Sequence, residues 1–308
     1  MPSFTERLGR HPVGRPFAAL LRTIWRPLFG LHIRWQFVLK MAARADLVCA
    51  CPDWDRLPRV KHAGRLRGFS QIMHNGLRVR AGSFYGLGSV FLFRRTGGVH
   101  EPQEEIVFAA VLPLLPPGAV MVELGSSWAF YSMWFAQQVP GARNYLVEPD
   151  AHGMKMGRAN FARNGFSGDF TRAFVGSAPP PGVCGVPAIT LDAFCTAHAI
   201  ERLHLLHADI QGVELEMLEG ARTTLAEDRV DFLFLSTHDE PLHAACRAHL
   251  AAYSRLRVFV DVPPAQSYSV DGLLVAARAG LAIPDIHVSL RDRTRLPAPP
   301  GEPAYARS

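Results

Sequence analysis

From residue 101 onward, short apolar runs alternate with longer amphipathic segments. The runs have the length of strands, and the segments between them place apolar residues at the helical period. This alternation predicts an α/β fold, a Rossmann-like seven-stranded doubly wound sheet with helices on both faces. The predicted strands lie at 119–124, 143–148, 169–175, 203–208, 230–236, 256–261 and 268–277, and the predicted helices at 101–114, 128–138, 151–164, 212–226 and 240–252. No helix separates the last two strands, which predicts a closing antiparallel hairpin.

The first 99 residues have a different pattern, which predicts a basic, mainly helical extension. Residues 17–46 interleave apolar and basic positions at helical spacing, with an interruption at Pro27. Residues 78–93 are rich in β-forming side chains and predict a hairpin around Gly86 and Gly88. The predicted organisation is an extension with an amphipathic helix and a β-hairpin at 1–99, an α/β domain at 100–281, and a Pro-rich flexible tail at 282–308.

Charge is divided unevenly along the chain. Residues 1–100 carry 17 Lys and Arg and 4 Asp and Glu, which gives a net formal charge of +13. Residues 101–308 carry 16 Lys and Arg and 23 Asp and Glu, which gives −7. A basic segment of this kind favours contact with something anionic. Two interpretations of residues 17–46 stay open: peripheral contact with a membrane surface, or packing of the apolar face against the α/β domain.

Cysteine usage and hydropathy indicate a compartment. The five cysteines form an odd set without C-x-x-C spacing, which favours neither a disulfide framework nor a zinc site. The N-terminus lacks the pattern of a secretory signal, and no run of about 18 apolar residues occurs. The sequence therefore predicts a soluble, cytoplasmic protein, with a peripheral location at the inner membrane surface as the open alternative.

Small and acidic residues follow the first predicted strand. Glu123 lies at its end, Gly125, Ser126 and Ser127 form the turn, and Tyr131 lies on the helix that follows. Small residues let the backbone approach a nucleotide-like ligand, and the start of the helix offers free N–H groups. We therefore predict that these five residues bind a cofactor, with Glu123 contacting a positively charged amino-acid moiety or ordering the loop.

A second carboxylate ends the next predicted strand at Glu148, followed by Pro149. A carboxylate at this place accepts hydrogen bonds from both hydroxyls of a ribose, and the proline ends the strand. Because Glu148 is in register with Glu123 and Gly125, we predict that Glu148 and Pro149 complete a nucleoside-sized pocket.

Further polar groups lie at the ends of the fourth and fifth strands. Asp209, Glu214 and His238 are the predicted catalytic residues, and Asp209 also lies near the cofactor, because ligands of open α/β sheets bind at the carboxyl ends of strands. His238 is the candidate general base, since imidazole titrates near neutral pH. Asp209, His238 and Asp239 are candidate ligands of a divalent metal ion, with hydrogen bonding alone as the alternative. Helix capping is the alternative role of Glu214 and Asp239.

Several short motifs accompany these residues between positions 100 and 277. They are Asp209-Ile210-Gln211-Gly212-Val213-Glu214 with the ending Leu218-Glu219-Gly220-Ala221, the run Thr190-Leu191-Asp192-Ala193-Phe194, Asn160, and the pair Asn164-Gly165. Together with the strand ends described above, they resemble the FkbM family of class I methyltransferases. The resemblance implies a seven-stranded Rossmann-like fold, S-adenosyl-L-methionine as methyl donor, and usually O-methylation of a hydroxyl on a sugar or small natural product.

Three positions depart from the family pattern. Glu123 stands where the family commonly has Asp, which keeps the charge. Ala129 stands where a further loop Gly is expected, which narrows the space near the cofactor. His207 stands where a Lys often precedes the Asp209 motif, so no lysine role is carried over, and a half-buried structural histidine is the interpretation we favour.

The expected function is therefore S-adenosylmethionine-dependent O-methylation of a small-molecule or glycan acceptor. The alternatives are N- or carboxyl-methylation and a non-catalytic, cofactor-binding or membrane-associated scaffold. An NAD-dependent oxidoreductase is disfavoured because the first loop lacks G-x-G-x-x-G. Nucleic acid is not expected as a partner, since no base-binding motif follows the fourth strand. Homo-oligomerisation stays open.

Overall fold

A computed structural model describes residues 39–176, 185–283 and 285–292. Most of the helix predicted at 17–46, including Pro27, lies outside the described residues. Within them, residues 39–50 are helical (α1), so the helical segment extends beyond the predicted end at residue 46. No helix of the described residues is long and apolar enough to cross a membrane.

The described extension contains short helices and a small antiparallel sheet. Its elements after α1 are α2 (Pro52–Arg56), β1 (Leu66–Arg67), β2 (Ser70–Ile72), β3 (Arg78–Arg80) and α3 (Gly88–Thr96), and the sheet order is β1-β2-β3. The hairpin predicted at 78–93 is therefore wrong. Ser89, Leu92, Phe93 and Thr96 are buried at helical spacing, so the apolar run forms one face of a helix, and the strands lie earlier in the chain.

The catalytic domain follows with the predicted alternation of strands and helices. Its elements are α4 (Pro102–Val111), β4 (Val120–Leu124), α5 (Phe130–Gln138), β5 (Arg143–Val147), α6 (Ala151–Asn164), β6 (Asp169–Thr171), β7 (Phe174–Val175), β8 (Ala188–Ile189), α7 (Leu191–Ala197), β9 (Leu203–Ala208), α8 (Glu214–Glu219), α9 (Arg222–Ala226), β10 (Val230–Thr237), α10 (Glu240–Ala251), β11 (Leu256–Val262) and β12 (Gly272–Arg278). Seven strands form one sheet in the order β11-β12-β10-β9-β4-β5-β6. β12 runs antiparallel to β10 and β11 on either side of it, and the other pairings in this sheet are parallel, which confirms the seven-stranded fold and its closing hairpin.

Three elements differ from the prediction. The strand predicted at 169–175 is divided, because β7 pairs with β8 in a separate two-stranded sheet. The helix predicted at 212–226 is interrupted at Gly220, where α8 ends and α9 begins after Ala221. The last strand starts at Gly272 rather than at 268, after a short 3-10 turn and a segment whose serines hydrogen-bond locally.

The large sheet is buried on both faces, and the extension shares one of its cores. Alternate residues of β4 point in opposite directions, so Met121 and Val122 lie in different apolar clusters. The Met121 cluster includes Phe84 and Phe93 of the extension together with Phe108 of α4. Residues 39–99 therefore pack as part of the same hydrophobic core as the catalytic domain.

Two asparagines of α6 connect the small sheet to the catalytic domain. The side chain of Asn164 accepts from the backbone N–H of Arg78 at 2.9 Å and donates to its carbonyl at 2.8 Å. Asn160 accepts from the backbone N–H of Arg80 at 2.8 Å and donates to the carbonyl of Trp128 at 3.0 Å. These residues of the family motif therefore satisfy the exposed edge of β3.

Residues 285–292 contain no helix or strand, yet they are hydrogen-bonded to the body of the protein. The buried carboxylate of Asp53 accepts from the backbone N–H of Ser289 at 2.8 Å and from its hydroxyl at 3.1 Å. The side chain of Gln103 donates to the carbonyl of Ser289 at 2.6 Å. The flexibility predicted for 282–308 therefore does not describe this part, and the residues after 292 lie outside the described chain.

Asp192 of the Thr190–Phe194 motif caps a neighbouring helix. Its carboxylate accepts from the backbone N–H groups of Thr223 and Thr224, each at 2.9 Å, and from the hydroxyl of Thr224 at 2.6 Å. Burial opposes ionisation, but these hydrogen bonds outweigh it and lower the pKa of Asp192. The first turn of α9 thus depends on one side chain from α7.

We expect Asp192→Ala to lower the free energy of unfolding by about 1–2 kcal/mol, because it leaves the N–H groups of α9 without acceptors. Since the folded-state pKa of Asp192 is depressed, its contribution is present above the unfolded pKa and is lost as the pH falls through the folded pKa. Urea unfolding at neutral and acid pH measures both effects. Asp285→Ala is the control, and equal losses in the two variants would contradict the assignment.

Candidate functional site

Polar side chains from four adjacent strands of the sheet lie at its carboxyl edge. Glu123 belongs to β4, Glu148 follows β5, Asp209 follows β9, and His238 follows β10. The negative charge of Asp209 is close enough to raise the pKa values of both Glu123 and Glu148, although burial contributes more to each shift. The predicted convergence of these acids is therefore present in the fold.

Gly125 lies against the backbone of the neighbouring loop. Its φ angle is 74°, and a Cβ atom built on it would lie 1.9 Å from the carbonyl oxygen of Asp209. The N–H of Gly125 donates to the carbonyl of Val147 at 2.9 Å, and the N–H of Asp209 donates to the carbonyl of Leu124 at 3.1 Å. The glycine is required here because two loops of the protein touch, a reason that the sequence pattern did not reveal.

The turn after Gly125 is held in a left-handed conformation at two non-glycine residues. Ser127 has a φ of 40° and Ala129 a φ of 64°. This conformation explains why a glycine is expected at position 129, since an L-residue there costs about 1–2 kcal/mol. α6 packs closely on the turn, because a Cβ on Gly157 would lie 2.8 Å from the carbonyl oxygen of Ser127.

Glu148 points towards this turn. One carboxylate oxygen accepts from the N–H of Ser127 at 2.8 Å, and the other accepts from the N–H of Asp150 at 2.7 Å. Burial raises the pKa of Glu148 to about 7, against the effect of the two backbone hydrogen bonds. Each oxygen has a second lone pair, so the carboxylate keeps capacity for ligand hydroxyls. Pro149 is half-buried beside it and its carbonyl accepts from Arg172.

Glu123 and Tyr131, both predicted to bind cofactor, are buried and have partners within the protein. Glu123 accepts from the N–H of Ser132 at 3.1 Å and so caps the start of α5. The hydroxyl of Tyr131 donates to Glu101 at 3.1 Å, and its ring lies 4.3 Å from the His207 ring. These contacts order the loop and the helix, which is one of the two roles predicted for Glu123. Direct contact of either residue with a cofactor stays a prediction, as it does for Ser126 and Ser127.

His238 lies between three carboxylates. Its Nε2 is 3.2 Å from Oδ1 of Asp209 and 3.5 Å from Oδ1 of Asp271, and its Nδ1 is 3.1 Å from Oε1 of Glu214. The side chains of His238 and Asp209 are 12% and 30% exposed, so the pair lies at the rim of the buried region. Glu214 is fully buried. The predicted catalytic residues are therefore brought together.

The surroundings of His238 favour its protonated form. Burial alone would lower the pKa of His238, but the contacts with Asp209 and Glu214 and the charge of Asp271 raise it to about 11. Burial would raise the pKa of Asp209, but the contact with His238 and its positive charge lower it. The general-base role predicted for His238 does not fit this arrangement, because an imidazolium has no free lone pair to accept a proton.

Glu214 shapes the loop that carries Asp209. Its carboxylate accepts from the N–H of Ile210 at 3.1 Å and from the N–H of Gly212 at 3.1 Å. Gln211 and Gly212 have left-handed backbone conformations, with φ angles of 60° and 101°. The side chain therefore satisfies donors in the loop before its own helix, in addition to its contact with His238.

The candidate metal ligands differ from the prediction at one residue, because Glu214 and not Asp239 lies with Asp209 and His238. Asp239 is exposed and its carboxylate accepts from the N–H of Leu242 at 2.7 Å, so it caps α10 and is not one of the side chains grouped with Asp209 and His238. Among the described residues, Asp209, Glu214 and His238 each offer one ligand atom, all within 4.8 Å of one another. One imidazole and two carboxylates are donors that suit several divalent ions. Glu214 thus takes the place given to Asp239.

Sequence reasoning missed Asp271 and Glu104. Asp271 precedes β12, and because β12 is antiparallel, its start lies at the edge where the parallel strands end. The closing antiparallel hairpin predicted from the sequence was the signal that could have identified Asp271. Glu104 of α4 pairs with buried His207 at 2.7 Å. Burial opposes protonation of His207, but Glu104 outweighs it and raises the pKa of His207 to about 9. No sequence signal joins these two residues.

The turn offers a matched pair of substitutions. We expect Gly125→Ala to lower the free energy of unfolding by at least about 2 kcal/mol, because the new methyl group meets the backbone of Asp209 at a positive φ. Ala129→Gly relieves an L-residue held in a left-handed conformation but also makes the unfolded chain more flexible, so the two effects largely cancel and we expect a change of less than about 1 kcal/mol. Thermal or urea unfolding of both variants measures this difference. Wild-type stability of Gly125→Ala would contradict the close contact.

The chain was compared with known proteins. The sequence model of the methyltransferase FkbM domain matches residues 145–259. None of the curated proteins compared with the chain matches it. Among solved structures, a precorrin-6y C5,15-methyltransferase from Geobacter metallireducens is 15% identical over 56% of this chain and 88% of its own, with a TM-score of 0.37. An rRNA methylase from Streptococcus thermophilus is 10% identical over 57% of this chain and 96% of its own, with a TM-score of 0.42.

An O-methyltransferase from Bacillus cereus, solved with SAH, is 15% identical over 58% of this chain and 82% of its own, with a TM-score of 0.41. With TM-scores this low, these structures contribute nothing to the argument about function. The family match begins within β5, ends within β11 and includes the Glu148, Asp209 and His238 strand ends. The matched domain and the seven-stranded sheet lead to one conclusion: the chain is an S-adenosylmethionine-dependent methyltransferase in which residues 145–259 match the FkbM domain.

Proposed function

We propose that this methyltransferase transfers the methyl group of S-adenosylmethionine to a hydroxyl oxygen of a sugar or small metabolite. The observation that carries the proposal is the ion pair of Asp209 and His238, which lies at the ends of two neighbouring parallel strands. Ligands of open α/β sheets bind at this edge. An ionised carboxylate at the rim can accept the hydrogen bond of an acceptor hydroxyl and orient its oxygen.

The chemistry of the transfer requires only a weak proton acceptor. The carbon–sulfur bond breaks as the carbon–oxygen bond forms, so the sulfonium becomes a neutral thioether and the acceptor oxygen gains positive charge. The proton on that oxygen becomes strongly acidic as the bond forms. Asp209, whose pKa is lowered, can therefore take the proton late in the reaction and pass it to solvent.

Formal charge at the cluster supports binding of a cationic cofactor. Asp209, Glu214 and Asp271 surround one imidazolium, so the cluster is negative overall. A negative site attracts the sulfonium of S-adenosylmethionine, and part of this attraction is lost once the sulfur is neutral. A carboxylate acceptor would be repelled by the same charge, which disfavours carboxyl-methylation. An amine acceptor is the remaining alternative within the enzyme class.

The cofactor-binding role proposed for Glu148 rests on its place at the end of β5 and on its unused lone pairs. Its two oxygens already accept from Ser127 and Asp150, which fixes their positions beside the turn after Gly125. Ribose hydroxyls donating to these oxygens would extend an arrangement that is already ordered. The turn itself offers small side chains at Gly125, Ser126 and Ser127.

A divalent metal at Asp209, Glu214 and His238 remains a second candidate for this site. The donor set fits such an ion, and His238 would have to lose its proton to bind it. A bound metal would supply positive charge to orient or acidify the acceptor hydroxyl. The imidazolium already provides positive charge between the same carboxylates, so the proposed transfer does not depend on a metal.

The remaining expectations concern partners and location. We propose a small-molecule or glycan acceptor and no nucleic acid substrate. We also propose peripheral membrane contact through residues 17–46, of which 17–38 lie outside the described residues. A cytoplasmic location and homo-oligomerisation are further proposals. A purified full-length chain examined by vesicle binding and light scattering would test the membrane contact and the homo-oligomerisation.

Replacement of Asp209 tests the role of the cluster. We expect Asp209→Asn to lower turnover about 100-fold with a hydroxylated acceptor, because the proton acceptor is lost. The variant should also lose part of the preference for S-adenosylmethionine over S-adenosylhomocysteine, which isothermal titration measures with both ligands. Asp239→Asn is the matched control, since asparagine also caps helices and the Asp239 side chain caps α10 and is not part of the Asp209, Glu214 and His238 group.

Unchanged turnover and unchanged ligand preference in Asp209→Asn would reject the proposed role. Cofactor binding without methyl transfer to any hydroxylated acceptor would favour the scaffold, and transfer to amines alone would favour N-methylation. Repeating the titrations after chelation tests the metal, because affinity lost with the chelator and restored by a divalent ion would identify a metal site.

Cofactor affinity should depend on the ionisation of Glu148. Since its pKa is about 7 in the free protein, we expect affinity for S-adenosylhomocysteine to rise as the pH increases through about 7. Glu148→Gln should remove this dependence, and Glu201→Gln, an exposed position, should retain it. The raised folded-state pKa acts oppositely on stability, which falls as the pH rises through the same value. A wild-type affinity that is independent of pH would contradict the ribose contact.

A further inference from the structure

Exposed apolar side chains are concentrated on the extension. Of the nine large hydrophobic residues that are exposed within the described chain, seven lie between residues 39 and 91. Three of these seven are exposed by more than half: Phe69 at 85%, Leu87 at 74% and Phe91 at 60%. Scattered single residues of this kind are common on protein surfaces, but a group in contact indicates an interaction site.

Phe69 lies at the tip of a tight turn. Arg67 of β1 pairs with Ser70 of β2, so Gly68 and Phe69 are the two residues between the strands. Gly68 has a φ of 58°, the conformation that such a turn needs. The backbone carbonyl of Phe69 accepts from the N–H of Ala81 at 2.9 Å. The aromatic ring is therefore presented to solvent from a backbone that is hydrogen-bonded on both sides.

Leu87 lies against the segment that is hydrogen-bonded to this turn, and Phe91 is on the same helix as Leu87. They are four residues apart at the start of α3, so their side chains share one face of the helix. The methyl carbon Cδ2 of Leu87 is 3.3 Å from the position that a Cβ on Gly82 would take. The residue before Gly82 is Ala81, whose N–H donates to the carbonyl of Phe69. We call Phe69, Leu87 and Phe91 the apolar tip.

Basic side chains surround the apolar tip. Residues 56–100 contain nine Lys and Arg and no Asp or Glu. Arg67 adjoins the turn, Arg80 pairs across the sheet with Ser70, and Arg94 follows Phe91 by one helical turn. All three are exposed, and none forms an ion pair with a carboxylate of the described residues.

We propose that the apolar tip enters the interface of a membrane with anionic headgroups, and that the surrounding arginines contact those headgroups. Apolar side chains beside unpaired basic ones match a surface whose apolar layer lies under negative charge. This contact is separate from the one proposed for residues 17–46 and does not depend on the reaction. It would hold the extension at the bilayer surface, together with α6, which is hydrogen-bonded to β3 through Asn160 and Asn164.

Charge disfavours the other occupants of this surface. Residues 1–38 carry six arginines and one glutamate, so they have the same sign as the patch. A second copy of the chain would bring an identical basic patch into contact with it. Nucleic acid has the required charge, but its bases stack on aromatic rings, and Leu87 offers none. An anionic bilayer accommodates aliphatic and aromatic side chains alike.

The experiment compares vesicle binding by full-length variants. Phe69→Ser, Leu87→Ser and Phe91→Ser are combined in one variant, and Leu114→Ser with Leu290→Ser is the matched control, because these two residues are also exposed but lie outside the extension. Binding is measured by co-sedimentation with phosphatidylcholine vesicles that contain or lack phosphatidylserine. A third variant combines Arg67→Glu, Arg80→Glu and Arg94→Glu.

We expect the wild type and the control to bind vesicles that contain phosphatidylserine, and the triple serine variant to bind about tenfold or more weakly. The charge-reversal variant should lose binding as well, and added salt should weaken binding by the wild type. Residues 1–38 are present in every variant, so any contribution from them is constant. Thermal unfolding shows whether each variant is folded.

Equal vesicle binding by the wild type and both triple variants would overturn the proposal and assign the membrane contact to another segment. Equal binding to vesicles without phosphatidylserine would also overturn it, because the arginines would then have no role. Failure to bind vesicles, together with binding of a single-stranded RNA oligonucleotide that requires Phe69, would identify nucleic acid as the partner.

Discussion

The contact between Gly125 and the carbonyl of Asp209 sets the spacing of the whole site. It brings the loop after β4 against the loop after β9, with no room for a Cβ atom. The neighbouring contact of Glu148 with Ser127 adds the end of β5 to the same group. Three strand ends are thereby fixed relative to one another before any ligand binds, which is the preorganisation that positioning of a methyl acceptor requires.

Part of the negative charge at the site is compensated by histidines of the protein itself. Asp209, Glu214 and Asp271 share the imidazolium of His238 at the rim, and one layer below, Glu104 pairs with His207. Removing one member of such a buried set leaves its partner uncompensated, which costs more than the pair itself contributes. The same arrangement gives Asp209 a low pKa and a fixed orientation, the two properties on which the proposed proton transfer depends.

The extension is physically part of the catalytic unit. Its aromatic residues enter the core beside α4, and Asn160 connects β3 to the carbonyl of Trp128 in the turn that follows Gly125. The small sheet is therefore connected to the turn through two hydrogen bonds of one side chain. If the apolar tip lies on a bilayer, the acceptor edge of the sheet has a defined relation to that bilayer, which would suit an acceptor found at the membrane surface.

The sequence alone determined the order of strands and helices in the catalytic domain, the acids at strand ends and the resemblance to the FkbM family, because apolar period and short motifs are local properties of the chain. Tertiary structure decided what those residues contact. Gly125 contacts Asp209, Asp239 caps its own helix, and Glu214 joins Asp209 and His238. Asp271 and two other carboxylates favour the protonated form of His238 by raising its pKa. In the extension, the apolar run that ends at Phe93 is a helix, because its buried face packs into the hydrophobic core that it shares with the catalytic domain. Such outcomes depend on residues distant in sequence, so no local pattern could contain them.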